Sequence, residues 1–127
     1  IRFNGSITTI VICEGFATGV TLATHYEPLS EVVCAFNARN LKPVARAFKV
    51  RYTMARIIIA GDNDRQTEIN TGVNVGIAKA IEAAKFVDGA LLIPEFLEGE
   101  QGTDWNARYL LDRSLRLKGD YRQGGRL

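Results

Sequence analysis

Four short runs of apolar, largely β-branched residues punctuate the chain: Ile7 to Cys13 (ITTIVIC), Val32 to Phe36 (VVCAF), Arg56 to Ala60 (RIIIA) and Ala90 to Pro94 (ALLIP). Each run is continuous rather than alternating, which is the pattern of a strand covered on both faces. Between the runs the period becomes helical. Leu41, Val44, Ala45 and Phe48 fall at i, i+3, i+4 and i+7, and Ile77, Ile81 and Ala84 lie on one stripe of GVNVGIAKAIEAAKF. A weaker helix is expected over about 17–25. A last one should run from about Asp104 to Leu117, with Thr103 or Asp104 as its cap.

Strands alternating with helices of this length need parallel pairing and right-handed crossovers. The predicted fold class is therefore α/β, an open, mainly parallel four-stranded sheet with helices on both faces. At 127 residues the chain holds one domain, placed at 1–118, and the glycine-rich, basic 119–127 reads as a flexible tail or linker. It starts at Ile1 rather than Met and carries no signal-peptide pattern, so a piece of a larger protein is expected.

Composition narrows the class without naming a chemistry. Hydrophobic residues make up 46% and charged residues 24%, as in an ordinary globular chain, and no apolar run is long enough to span a bilayer. Cys13 and Cys34 lie inside apolar runs with no CxxC spacing, which reads as buried, reduced thiols in a cytoplasmic protein. The net charge of +2 is small but unevenly spread. No acid occurs from Val32 to Gly61, a stretch that carries Arg39, Lys42, Arg46, Lys49, Arg51 and Arg56. Lys42, Arg46 and Lys49 form a helical stripe on which phosphates could dock.

Ligands of open parallel sheets bind beyond the carboxyl ends of the strands. Glu14 and Gly15 follow the first strand, Asn37 the second, Asp62 and Asp64 the third, and Glu95 the fourth, with Asp104 further along the same loop. If GDND stays extended, Asp62 and Asp64 project to one side. Carboxylates that crowd together either hold a proton or recruit a cation. A donor set of oxygens alone suits a hard ion, Mg²⁺ or Mn²⁺. Asn37 and Arg39, at the same edge, are candidate nucleotide contacts, and Arg65 could reach a phosphate or neutralise Asp64. Phe16 and Trp105 are expected in the core.

Strand, Glu-Gly, strand, then strand, Asp-x-Asp resembles the Toprim domain, the Rossmann-like catalytic module of primases, type IA and type II topoisomerases and certain nucleases. The resemblance runs from about Ile7 to Tyr109. ICEGFATGVTLAT, AFNARNLKPVARAF, RIIIAGDND and GTDWN look most like the Toprim domain of plasmid and phage DNA primases and primase-helicases. Gln66 stands where type IA topoisomerases have a third acid, and DNDR is similar to the primase form. Ala107 stands where relatives often carry an acid after the GTDWN asparagine.

The resemblance implies that Asp62 and Asp64 are metal ligands and Glu14 a ligand or general acid/base, with Asp104 a further candidate ligand. It implies Mg²⁺ or Mn²⁺ as cofactor, DNA template and nucleoside triphosphates as partners, and zinc-binding or helicase domains as neighbours. The expected activity is nucleotidyl transfer in primer synthesis. A Toprim nuclease and a non-catalytic binding module are the alternatives. Strands lie about 4.8 Å apart, so Glu14 and the aspartates can share a metal only if strands one and three are adjacent.

Overall fold

The structure, a computed structural model, describes residues 7–123. Of the expected tail at 119–127, residues 124–127 lie outside the described residues.

Four strands form one sheet, β1 (Thr9–Cys13), β2 (Glu31–Cys34), β3 (Arg56–Ala60) and β4 (Ala90–Leu92), in the order β2-β1-β3-β4. All pairs are parallel. β1 and β3 are central neighbours, in register from Thr9 opposite Arg56 to Cys13 opposite Ala60. The chain leaves β1 toward β2 on one side and later fills β3 and β4 on the other. The strand order therefore reverses between β1 and β3, and the crevice at their carboxyl ends is where such sheets bind ligands.

The continuous apolar runs are explained by cover on both faces. Ile10, Ile12, Ile57 and Ile59 point to one face and pack with Leu41 and Ala45 of α2 (Leu41–Arg51) and Ala80, Ala83 and Ala84 of α4 (Val75–Phe86). Val11, Cys13, Ile58 and Ala60 point to the other, against Leu22, Tyr26 and Trp105. Each fully buried isoleucine or leucine contributes about 1.5–3 kcal/mol relative to exposure. The second face is covered by α1 (Phe16–Thr21), which runs into a π-helical turn (Leu22–Tyr26), and by α5 (Trp105–Gln123). Thr21 donates to Asn106 Oδ1 at 2.8 Å, and His25 stacks on Tyr109 with ring centroids 3.8 Å apart.

Several boundaries differ from the sequence expectation. β2 stops at Cys34 because Phe36 adopts a left-handed φ of 72°, which ends the strand. β4 ends at Leu92, and α5 continues past Leu117. A short helix, α3 (Arg65–Thr71), follows the Asp-x-Asp segment where no helix was expected. Its sequence RQTEINT has no apolar stripe, and none of its residues is buried. Phe16, expected in the core, is 69% exposed, because it opens α1 at the loop edge rather than on the face that meets the sheet. Among the described residues no helix is long and apolar enough to cross a membrane.

Candidate metal centre at the sheet edge

Glu14 and Asp62 are each the first or second residue beyond a central strand, so the β1–β3 register delivers them to the same place. The backbone N–H of Asp62 donates to Glu14 Oε2 at 3.2 Å. Asp62 Oδ1 is buried and has no hydrogen-bond partner. Burial, then the charges of Glu14, Asp104 and Asp64, push the Asp62 carboxyl up to about 7. Burial also raises Glu14, with Asp64 adding to the effect and the Asp62 N–H opposing it. Four acids thus share one electrostatic neighbourhood at the switch point.

Asp64 is held from the far side. Its Oδ2 accepts the Gly76 N–H at 2.8 Å, and its own N–H donates to Asn74 Oδ1 at 3.0 Å. Asn74 caps α4 by accepting from Ile77 N and donates through Nδ2 to Asn63 Oδ1 at 2.9 Å. Asn63 in turn faces the β4–α5 loop, its N–H on Thr103 O and its Nδ2 on Pro94 O. The central residue of Asp-Asn-Asp therefore braces the segment while the flanking acids stay at the crevice. Two glycines permit the close packing. A Cβ on Gly76 would meet Asp62 O at 2.4 Å, and one on Gly61 would meet the Ala80 Cβ at 2.5 Å.

Asp104 caps α5, its Oδ1 accepting from Ala107 N at 2.8 Å, while its charge reaches Asp62. Arg65 is used inside the fold. Its Nη2 donates to Glu100 O and Gly102 O at 2.9 Å each, and its guanidinium lies 4.5 Å from the Phe96 ring centroid. Arg108 joins the same loop, pairing with Glu100 at 2.7 Å and Asp112 at 2.8 Å. A cavity of about 560 Å³ opens beside it, lined by Ile93, Phe96, Trp105, Arg108 and Leu115, and none of Glu14, Asp62, Asp64 or Asp104 lines it.

The basic candidates divide. Asn37 caps the 3-10 turn Ala38–Asn40 through Asn40 N, and Arg39 is exposed beside it at the end of β2. Lys42 pairs with Glu82 of α4 at 3.3 Å and sits 4.8 Å from the Phe86 ring centroid. Arg46 is exposed and Lys49 half-buried on the same helix. The residues missed from sequence are Asn63, Asn74 and Gly76. Asn74 and Gly76, at and just inside the start of a clear helical stripe, carried a readable cap signal.

Among the described residues no three His, Cys, Asp or Glu side chains close into a ready-made metal cluster. What the residues offer a cation is an oxygen-only set of acids and one buried, unpartnered carboxylate oxygen on Asp62. That chemistry fits a hard divalent ion.

A family model described as Toprim domain matches residues 9–111. The chain is 46% identical over 92 residues to a DNA primase TraC of Escherichia coli, covering 72% of this chain and 8% of that protein. A second DNA primase TraC of Escherichia coli is 37% identical over 91 residues, again 72% of this chain and 6% of the relative. The chain thus spans less than a tenth of the length of these relatives. No solved structure matches it significantly.

Proposed function

This chain belongs to the Toprim domain family, and from that premise we propose that it is the catalytic module of a DNA primase, joining nucleotides in primer synthesis with Mg²⁺ or Mn²⁺. The observation that carries the reading is the meeting of Glu14 with Asp62 at the β1–β3 switch point, where Asp62 keeps a buried oxygen without a partner. The two Escherichia coli relatives, both DNA primases by name, support the same reading.

In this reading Asp62 and Glu14 hold the ion, with Asp64 completing the set and Asp104 adding negative charge from the α5 cap. When bound, the ion would stabilise charge on the attacking and leaving oxygens of phosphoryl transfer. The protein's own part is positioning. Asn74 holds the Asp64 backbone, Gly76 its carboxylate and Asn63 the segment between the two aspartates, which limits how far the acids must move on loading. Glu14 Oε2 accepts the Asp62 N–H, which leaves Oε1 either to hold the ion or, as the alternative role, to take a proton from an attacking 3′-hydroxyl.

Asn37 and Arg39 serve as nucleotide contacts at the end of β2. Arg46 and Lys49 serve as phosphate contacts, whereas Lys42 and Arg65 are engaged within the fold. The module works in the cytoplasm as one unit of a larger replication protein whose other domains hold the template. Primer synthesis by that intact protein carrying Asp62→Asn and Asp64→Asn is the direct test. Loss of synthesis is expected, and undiminished synthesis would overturn the reading.

A further inference from the structure

Beside the acids lies a pair of thiols that the proposed reaction does not use. Cys13 and Cys34 are direct partners in the parallel β1–β2 ladder, at its last registered position. Their side chains share one face of the sheet, with Sγ atoms 3.8 Å apart, and both are free thiols. Parallel partners stand about 4.8 Å apart at Cα, inside the range a disulfide spans. Cys13 is fully buried and Cys34 half-buried, so Cys34 is the more accessible residue of the pair.

Both sulfurs also touch the loop that carries Glu14. Each lies 3.4 Å from the carbonyl oxygen of Gly15, to which a thiol hydrogen can be donated. α1 seats on them directly. A Cβ on Gly19 would lie 2.6 Å from Cys34 Sγ and 3.3 Å from Cys13 Sγ, so the glycine leaves the sulfurs their space.

We propose that Cys13 and Cys34 are a redox modification site, closing reversibly to a disulfide under peroxide and thereby removing the two thiol contacts to the Gly15 carbonyl next to Glu14. The Cys34 sulfur attacks one oxygen of hydrogen peroxide, the O–O bond breaks, and a sulfenic acid forms with one water released. The Cys13 sulfur then attacks the Cys34 sulfur. The S–S bond forms, the S–O bond breaks, and the hydroxide leaves as water with the Cys13 proton. Two thiols and one peroxide give one disulfide and two waters. With both thiol hydrogens gone, Gly15 O loses its sulfur donors and keeps the Gly19 N–H of α1 at 3.0 Å, so the electronic and packing environment of Glu14 and Gly15 changes while the loop stays anchored.

The test requires no catalysis and so stands apart from the primase reading. The reduced chain is exposed to hydrogen peroxide, capped with iodoacetamide, and followed by intact mass, non-reducing peptide mapping and amide NMR. The expected product is a monomer lighter by two hydrogens, uncapped, with Cys13 and Cys34 peptides joined and the Glu14 and Gly15 amides shifted, all reversed by dithiothreitol. Cys34→Ser and Cys13→Ser should each remove the cross-link and the shift. A folded chain that still takes two caps after peroxide, that carries oxygen on one sulfur instead of a cross-link, that links between molecules, or whose disulfide leaves the Glu14 and Gly15 amides unmoved would overturn the proposal.

Discussion

The N–H of Asp62 donates to Glu14 Oε2 at 3.2 Å, although the two residues are 48 positions apart in sequence. The contact exists because β3 pairs directly with β1, with Cys13 opposite Ala60, and it places both acids at the point where strand order reverses. It also leaves a carboxylate in a desolvated, acidic setting, and the expected behaviour of the chain follows from that arrangement.

Stability should fall as pH rises through neutrality. The Asp62 carboxyl is raised from 3.8 to about 7, so the folded chain retains a proton that the unfolded chain releases between those values. The contribution is complete below 3.8 and is lost as pH rises through about 7. Glu14 is raised as well and acts in the same direction. Glu82 and Glu100 are lowered, so they weaken the fold only on the acid side of 4.5. Without divalent ions, thermal melting should occur at a higher temperature near pH ~5 than near pH ~8, and Asp62→Asn should flatten that slope. An unchanged slope in Asp62→Asn would assign it elsewhere.

Asn74→Ala should destabilise the chain by about 2 kcal/mol in urea unfolding, more than a simple cap. Cap loss alone costs about 1 kcal/mol. The remainder comes from removing the acceptor of the Asp64 N–H and the donor to Asn63 Oδ1.

Gly76→Ala should cost about 1–3 kcal/mol through overpacking, because the added methyl meets backbone at Asp62 O rather than a side chain that can swing away. The same change should weaken divalent-ion binding by displacing Asp62 and Asp64. Gly72→Ala is the contrast. Its Cβ would meet nothing, but its φ of 80° carries strain, so it should lower stability without altering ion binding.

In a primase that contains this domain, Asp62→Asn with Asp64→Asn should reduce primer synthesis by about a hundredfold or more, since in the proposed site these carboxylates would hold the ion. Assay with DNA and Mn²⁺ but without nucleotides separates the alternatives. Cleavage that depends on the same acids would indicate a nuclease.

Much of this architecture was legible in the chain because it rests on local pattern. The apolar runs of β1 and β3 and the stripes of α2 and α4 announce buried elements, and the acids lie immediately beyond the strands. The adjacency of β1 and β3 followed from asking Glu14 and Asp62 to meet. What escaped was set by partners distant in sequence. α3 has no apolar stripe, and its first residue, Arg65, is anchored to carbonyls at Glu100 and Gly102. Those two carbonyl contacts of Arg65, read in sequence as a partner for phosphate or for Asp64, could not be foreseen from its neighbours in the chain. Asn63 reads as a spacer between two aspartates, yet its hydrogen bonds reach as far as Asn74, Pro94 and Thr103. The end of β2 at Cys34 depends on the left-handed backbone of Phe36, an angle that residue type disfavours.

The central claim is that Glu14, Asp62 and Asp64 together hold a divalent ion at the β1–β3 edge. Its most direct test is a Mn²⁺ titration of the isotope-labelled chain followed by paramagnetic broadening of the backbone amides, with Mg²⁺ as competitor. Saturable broadening centred on Glu14, Asp62 and Asp64, reversed by Mg²⁺ and lost in Asp62→Asn, is expected. Broadening centred elsewhere, or an Asp62→Asn chain that binds as the parent does, would contradict it.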